Sequence, residues 1–229
     1  MSLLSLGKKI IDKYPALITI TAFMHNHILG FNVIRLKRGN TLIGMERSYI
    51  KKSKVRVYGV NNTVDFGDTC FLEGLQIYIN GNDNYIKLGR RVYAKGVEFH
   101  IEDSNNQLLI GDHTSFNGYS HLALTEGKKI EIGKDCMFSS NVMIRTGDSH
   151  SIIEVESRKR INEAMDVVIG EHVWLGNQVI LLKGADIGAN SLVGSGAVVT
   201  SRFEERNIII AGNPAKIIKR GIDWNRVRI

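Results

Sequence analysis

Proline and cysteine are nearly missing: two of each occur in 229 residues. With Pro15 and Pro214 the only prolines, no proline-rich linker divides the chain, and one main domain with small terminal additions is expected. Cys70 and Cys136 are too few for a disulfide scaffold and lack metal-ligand spacing, so a reducing cytoplasm is the expected compartment. A long hydrophobic run is also missing. The most apolar stretch, residues 1–31, is broken by Lys8, Lys9, Asp12, Lys13 and Pro15, which makes it too short and interrupted for a membrane span. Its charges follow the first apolar run, whereas a signal peptide places them before it. It reads as an amphipathic helix capping the domain, with membrane-surface contact the lesser alternative. Aromatic residues make up 7% and do not interleave with the basic ones as on a nucleic-acid platform, so the formal net charge of +7 is not assigned to nucleic acid.

Glycine, by contrast, is abundant, at 23 residues, and the chain has a period. Stepping by six from Ile169 gives Leu175, Leu181, Ile187, Val193 and Val199, all aliphatic. Two residues before each stand Val167, Val173, Val179, Ala185, Ser191 and Ala197, and Gly170, Gly176, Gly188 and Gly194 follow four of the six. A period of six fits neither a helix nor a long alternating strand. It fits a coil of three short strands with the aliphatic residue inward, small or glycine residues at the corners, and stacked turns about 4.8 Å apart. Helices of this repeat class turn left-handed, against the usual crossover rule.

Phe66, Leu88, Ile110 and Ile132, each followed by glycine, stand 22 residues apart, the length of an 18-residue coil plus a four-residue corner. Cys70 and Cys136 occupy one column three such coils apart, about 14 Å by the strand spacing, and read as small core residues. From Ile132 the register reaches Phe138, Ile144 and then His150, where it fails until Ile169. The expected map is an N-terminal helical segment over 1–40, an all-β solenoid, a left-handed parallel β-helix, over 41–213, a projecting loop over 147–166, and a short closing helix and tail over 214–229. Projecting loops on rigid scaffolds carry function disproportionately.

The run "VVIGEHVWLGNQVILLKGADIGANSLVGSGAVVTS" with "IIIAGNPAKIIKRG", and "TGDSHSI" placed 24 residues ahead of the tryptophan, resembles the hexapeptide-repeat O-acetyltransferases. That group includes the maltose, galactoside and capsular polysaccharide enzymes; "DSHSI" with "KRIN" is closer to the capsular branch. The resemblance spans roughly residues 60 to 221. It implies an acetyl-CoA donor, a sugar or glycan hydroxyl as acceptor, no metal, and a homotrimer with sites between prisms.

Acetyl transfer to an alcohol needs a base, and a neutral imidazole suits that work near pH 7. His150 matches the family's catalytic histidine, and Asp148, two residues earlier, is placed to orient it. Trp174 matches the tryptophan walling the acceptor site. Asn117, or alternatively His121, corresponds to the acceptor-contacting position, and Arg145 is suited to an anionic sugar or to solvent. Asn177, Ser195, Thr200 and Ser201 are carried over to the pantetheine groove, and Lys216 and Lys219 to the nucleotide phosphates. Where the family often has arginine, this chain has lysine. Two other readings keep the fold: an N-acetyltransferase of an amino sugar or nucleotide sugar, and a scaffold without turnover. A zinc carbonic anhydrase would need a histidine pair four or five apart, and His113 and His121 are eight apart.

Overall fold

The computed structural model describes Ala22 and residues 24–228. Short strands are stacked into three sheets of eight, eight and nine strands, which form the faces of a triangular prism. The first sheet runs from Val33–Leu36 to Val198–Val199, the second from Thr41–Ile43 to Arg202–Phe203, and the third from Tyr49–Lys51 to the final strands at Ile208–Gly212 and Ala215–Arg220.

Alternation makes the prism. At Lys54–Tyr58 every second residue is buried, and the inward set is the aliphatic register read from the sequence. Phe66, Leu88, Ile110, Ile132, Ile169, Leu175, Leu181, Ile187, Val193 and Val199 are all at most 3% exposed. They form one continuous core along the axis, with Phe116 and Phe138 in contact at 4.4 Å between ring centroids. Cys70 and Cys136 are free and buried within it, and burial pushes their thiols up to about 11 and about 12. A glycine follows the inward residue where successive coils approach too closely for a side chain: a Cβ at Gly133 would stand 2.6 Å from the backbone nitrogen of Glu171 in the next coil.

Pairing partners lie 22 residues apart in the early coils, as at Lys54 and Gln76, and 18 apart in the late ones, as at Ile180 and Val198. The four extra residues sit at the corner between the first and second sheets. There Asn40, Asn62, Asn84 and Asn106 form a ladder, the last three of them buried, in which the side-chain amides of Asn62, Asn84 and Asn106 each donate to the previous Asn Oδ1 at 2.9–3.0 Å. The ladder satisfies polar groups that no longer face water. It ends where the backbone N–H of Lys128 donates to Asn106 Oδ1.

Most of the expected N-terminal helical segment lies outside the described residues; within them Ala22 and Met24 are helical and lead into a π-helical turn, His25–Leu29, and the prism already begins at Val33, inside the span expected to be helical. The closing helix is instead a strand, Ala215–Arg220, antiparallel to Ile208–Gly212. Corners are also less dependent on glycine than expected: Thr69, Arg91, His113, Asp135 and His172 take positive φ at one corner, at a coil's spacing. Among the described residues no helix is long and apolar enough to cross a membrane.

Candidate active site

The projecting loop leaves the prism after Val142–Arg145 and returns at Val167–Ile169, so Ile132 pairs with Ile169 across 37 residues. It springs from the same corner as the asparagine ladder. Inside it, Ile153 and Arg160 form an antiparallel bridge, and a buried asparagine organises the base. Asn162 donates to the His150 carbonyl at 2.8 Å and to Asp148 Oδ2 at 2.9 Å, while its Oδ1 accepts from the backbone of Ile152 at 2.7 Å. Arg160 clamps the return limb onto the preceding coil through Glu126 at 2.6 Å, and that hydrogen bond holds the Glu126 carboxyl below the usual range. Ser149, at φ +64°, turns the chain sharply just before His150.

His150 is thereby fixed at its backbone, while its exposed imidazole has no hydrogen-bond partner among the described residues. The expected contact with Asp148 is not made. Lys183, one coil further on, takes the Asp148 carboxylate at 2.5 Å, and this hydrogen bond lowers its pKa. Asp148 therefore ties the loop to the prism.

Below the loop an open pocket of about 350 Å³ has a floor of Met143, Ile180, Leu182 and Val198, with Arg145, Asp148 and Lys183 at its rim. Arg145 donates to Ser149 Oγ at 2.9 Å, yet its Nε is buried without a partner among the described residues. His121 stands one strand away from this pocket, opposite Met143 on the outer face of the first sheet, and burial lowers its pKa.

The other expected residues divide between places. Asn117, Asn177 and Ser195 lie at the corner between the third and first sheets; there Ser195 Oγ accepts from the Asn177 backbone. Thr200 and Ser201 lie at the opposite edge of the first sheet, exposed between Val198–Val199 and Arg202–Phe203. On the final strand, Lys216 faces Ala211 and Lys219 faces Ile209, with an irregularity of register between them. Residues 209 and 211 share a strand face, so the irregularity brings both lysines to the same outer side. Trp174 points from the third sheet, donates to Ser139 Oγ at 3.3 Å, and stands 6.0 Å from the Trp224 ring. One prism does not bring the whole set together.

Residues 166–201 match the family described as Bacterial transferase hexapeptide (six repeats). A solved structure of the polysialic acid O-acetyltransferase OatWY superposes with a TM-score of 0.75 at 35% identity, covering 86% of this chain and 89% of that one. The chain belongs to the hexapeptide-repeat O-acetyltransferases. With that family it shares the left-handed parallel β-helix. The polysialic acid O-acetyltransferases of Escherichia coli O1:K1 / APEC and Neisseria meningitidis are 39% and 37% identical over 103 and 109 residues, which is 45% and 48% of this chain. The aligned part spans 33% and 51% of those two curated relatives.

Within this family member, several side chains of the site carry no sequence signal of their own. Asn162 had only its place in "KRIN"; Glu126 and Lys183 come to the loop by stacking of coils, 34 and 35 residues from the groups they bind. The tail after Ala215–Arg220 was missed as well. Trp224 stacks on His172 at 4.1 Å and 7°, and Arg226 binds Asp135, Ser115 and the Cys136 carbonyl, strapping the tail across the third sheet.

Proposed function

We propose that this protein transfers an acetyl group from acetyl-CoA to a hydroxyl of an acidic glycan, with His150 as general base. The observation that carries this reading is an exposed imidazole, without a hydrogen-bond partner among the described residues, on a braced loop whose stem at Gly147 and Asp148 lines a pocket with two cationic side chains. His150 withdraws the proton from the acceptor hydroxyl as that oxygen attacks, a role that needs a free ring nitrogen within hydrogen-bond reach of the substrate. Arg145, whose buried Nε lacks an acceptor among the described residues, is suited to an acidic group of the glycan, in keeping with the polysialic acid in the relatives' names. Trp174 and Asn117 wall and contact the acceptor.

The donor supplies an activated thioester carbonyl when bound. The donor set of this chain suits it: Lys216 and Lys219 share one outer face and can meet a pair of phosphates, while the exposed Asn177 side chain is available for an amide of the pantetheine arm. Ser195 lines the same corner, and Thr200 and Ser201 lie across the first sheet from it. Groups on two edges of one face converge on a single ligand when two prisms stand side by side, which supports a homotrimer with sites between subunits. A cytoplasmic location accords with use of acetyl-CoA.

The test is release of free thiol from acetyl-CoA with acidic polysaccharides, neutral sugars and amino sugars as acceptors. Release with an acidic glycan supports the proposal. Release with amines alone replaces it by N-acetylation, and no release with any acceptor, from protein shown to bind CoA, leaves a scaffold without turnover.

A further inference from the structure

A second cluster of chemistry-bearing side chains stands on the outer face of the first sheet, outside the pocket lined by Arg145, Asp148 and Lys183. Glu98 and His100 lie two residues apart on Val97–Glu102 and so share a face; His121, on Ser120–Leu124, is the residue directly beside Glu98 in the neighbouring strand. One ligand atom from each of the three lies within 4.8 Å of the other two. All three are partly buried. We infer that Glu98, His100 and His121 form a binding site for a divalent transition-metal ion of the zinc class.

The surroundings orient the donors toward one another. His100 Nε2 is 3.3 Å from Glu102 Oε1, while its Nδ1 is the nitrogen that faces Glu98, at 4.0 Å. With Nε2–H donated to the Glu102 carboxylate, the lone pair sits on Nδ1 and is aimed at the centre of the cluster, the arrangement in which a carboxylate sets the tautomer of a metal-bound histidine. Tyr78 stacks on the His100 ring at 4.9 Å and 23°, which limits its rotation. The Tyr119 hydroxyl donates to Glu98 Oε2 at 3.4 Å, leaving Oε1 as the oxygen nearer His100.

Distances fit the assignment. A tetrahedral ion about 2.1 Å from each donor holds the donors roughly 3.4 Å apart, so the cluster needs to close by little more than an ångström. Partly exposed side chains on a sheet face close that gap by small rotations. Two imidazoles and one carboxylate select zinc, cobalt or nickel over magnesium or calcium, which prefer oxygen sets. Three protein ligands leave the fourth position to water. The ion would join two successive coils through their side chains, giving one rung of the prism a cross-link besides its backbone bonds. The assignment is independent of the acetyl-transfer reading, and it departs from the expectation of no metal that came with the resemblance.

The experiment uses the full chain, without a histidine tag and stripped by chelator, titrated with Co²⁺ while visible ligand-field absorption and melting temperature are followed. One ion per chain, with a rise in melting temperature, is expected. His100→Ala and Glu98→Gln should weaken uptake at least about tenfold, and Glu102→Gln about tenfold through the lost orientation of His100. All three variants lie on an outer face, and circular dichroism checks that they fold. No absorption change at saturating Co²⁺, or uptake unaltered in His100→Ala, overturns the site.

Discussion

Two segments leave the prism at the same corner and end very differently. At residues 103–106 four residues turn the chain, and Asn106 locks the turn by passing hydrogen bonds to the coils on either side. At residues 147–166 the corner opens into a loop, and the lock is replaced by a set of local contacts around Asn162, with Asp166 Oδ1 accepting from the Lys129 backbone N–H where the loop rejoins the prism. Short corners put their polar groups into the scaffold. The long corner holds its own backbone and leaves an imidazole facing outward. A repeat fold thus separates stability from chemistry by the length of a single connection.

Removing the imidazole breaks the loop's side of this contrast most severely. His150→Ala is expected to lose at least about a hundredfold in turnover while still binding CoA and melting normally, as measured by thiol release, equilibrium binding and calorimetry. Asn84→Ala strikes the other side. It takes an acceptor from Asn106 and a donor from Asn62, both buried, and should cost about 2 kcal/mol in denaturant unfolding, with the folded fraction fully active. An unchanged midpoint would show that the ladder is dispensable.

Asn162→Ala sharpens the distinction, because it loosens the loop without touching the ladder. A fall of about tenfold in kcat with little change in melting temperature is expected, since the imidazole is then only loosely aimed. The smallest effect is that of pH. The lowered Asp148 pKa means that its tether to Lys183 contributes fully above the ordinary carboxylate value of about 3.9 and is lost as pH falls through the lower folded value. Proteolysis of the loop should therefore accelerate only in that acidic range, and Asp148→Asn should make it insensitive to pH there.

The prism was legible because its core is written at one residue in six, and the loop was legible as the place where that spelling stops. What escaped was whatever depends on stacking. Glu126, Lys183 and Asn162 meet only after coils of unequal length are superposed, and neither a motif nor a period joins them in the chain. "AKIIKR" was misread as helix because an irregularity of register near Ile218 hides its alternation. That same irregularity restores the two lysines to one side. The tail failed for another reason: Trp224 and Arg226 serve partners 52 and 91 residues away.

Stacked parallel coils end in a row of unpaired amides and carbonyls, an open template for another molecule of the same kind. Here the third sheet finishes on a strand of reversed direction, whose hydrogen bonds are spaced for an antiparallel partner. Lys216, Lys219 and Arg220 add like charge along that border. A second molecule arriving end-on cannot continue the parallel stack on that face and meets a repulsive rim there. Growth into filaments is discouraged there, and association is directed to the flanks.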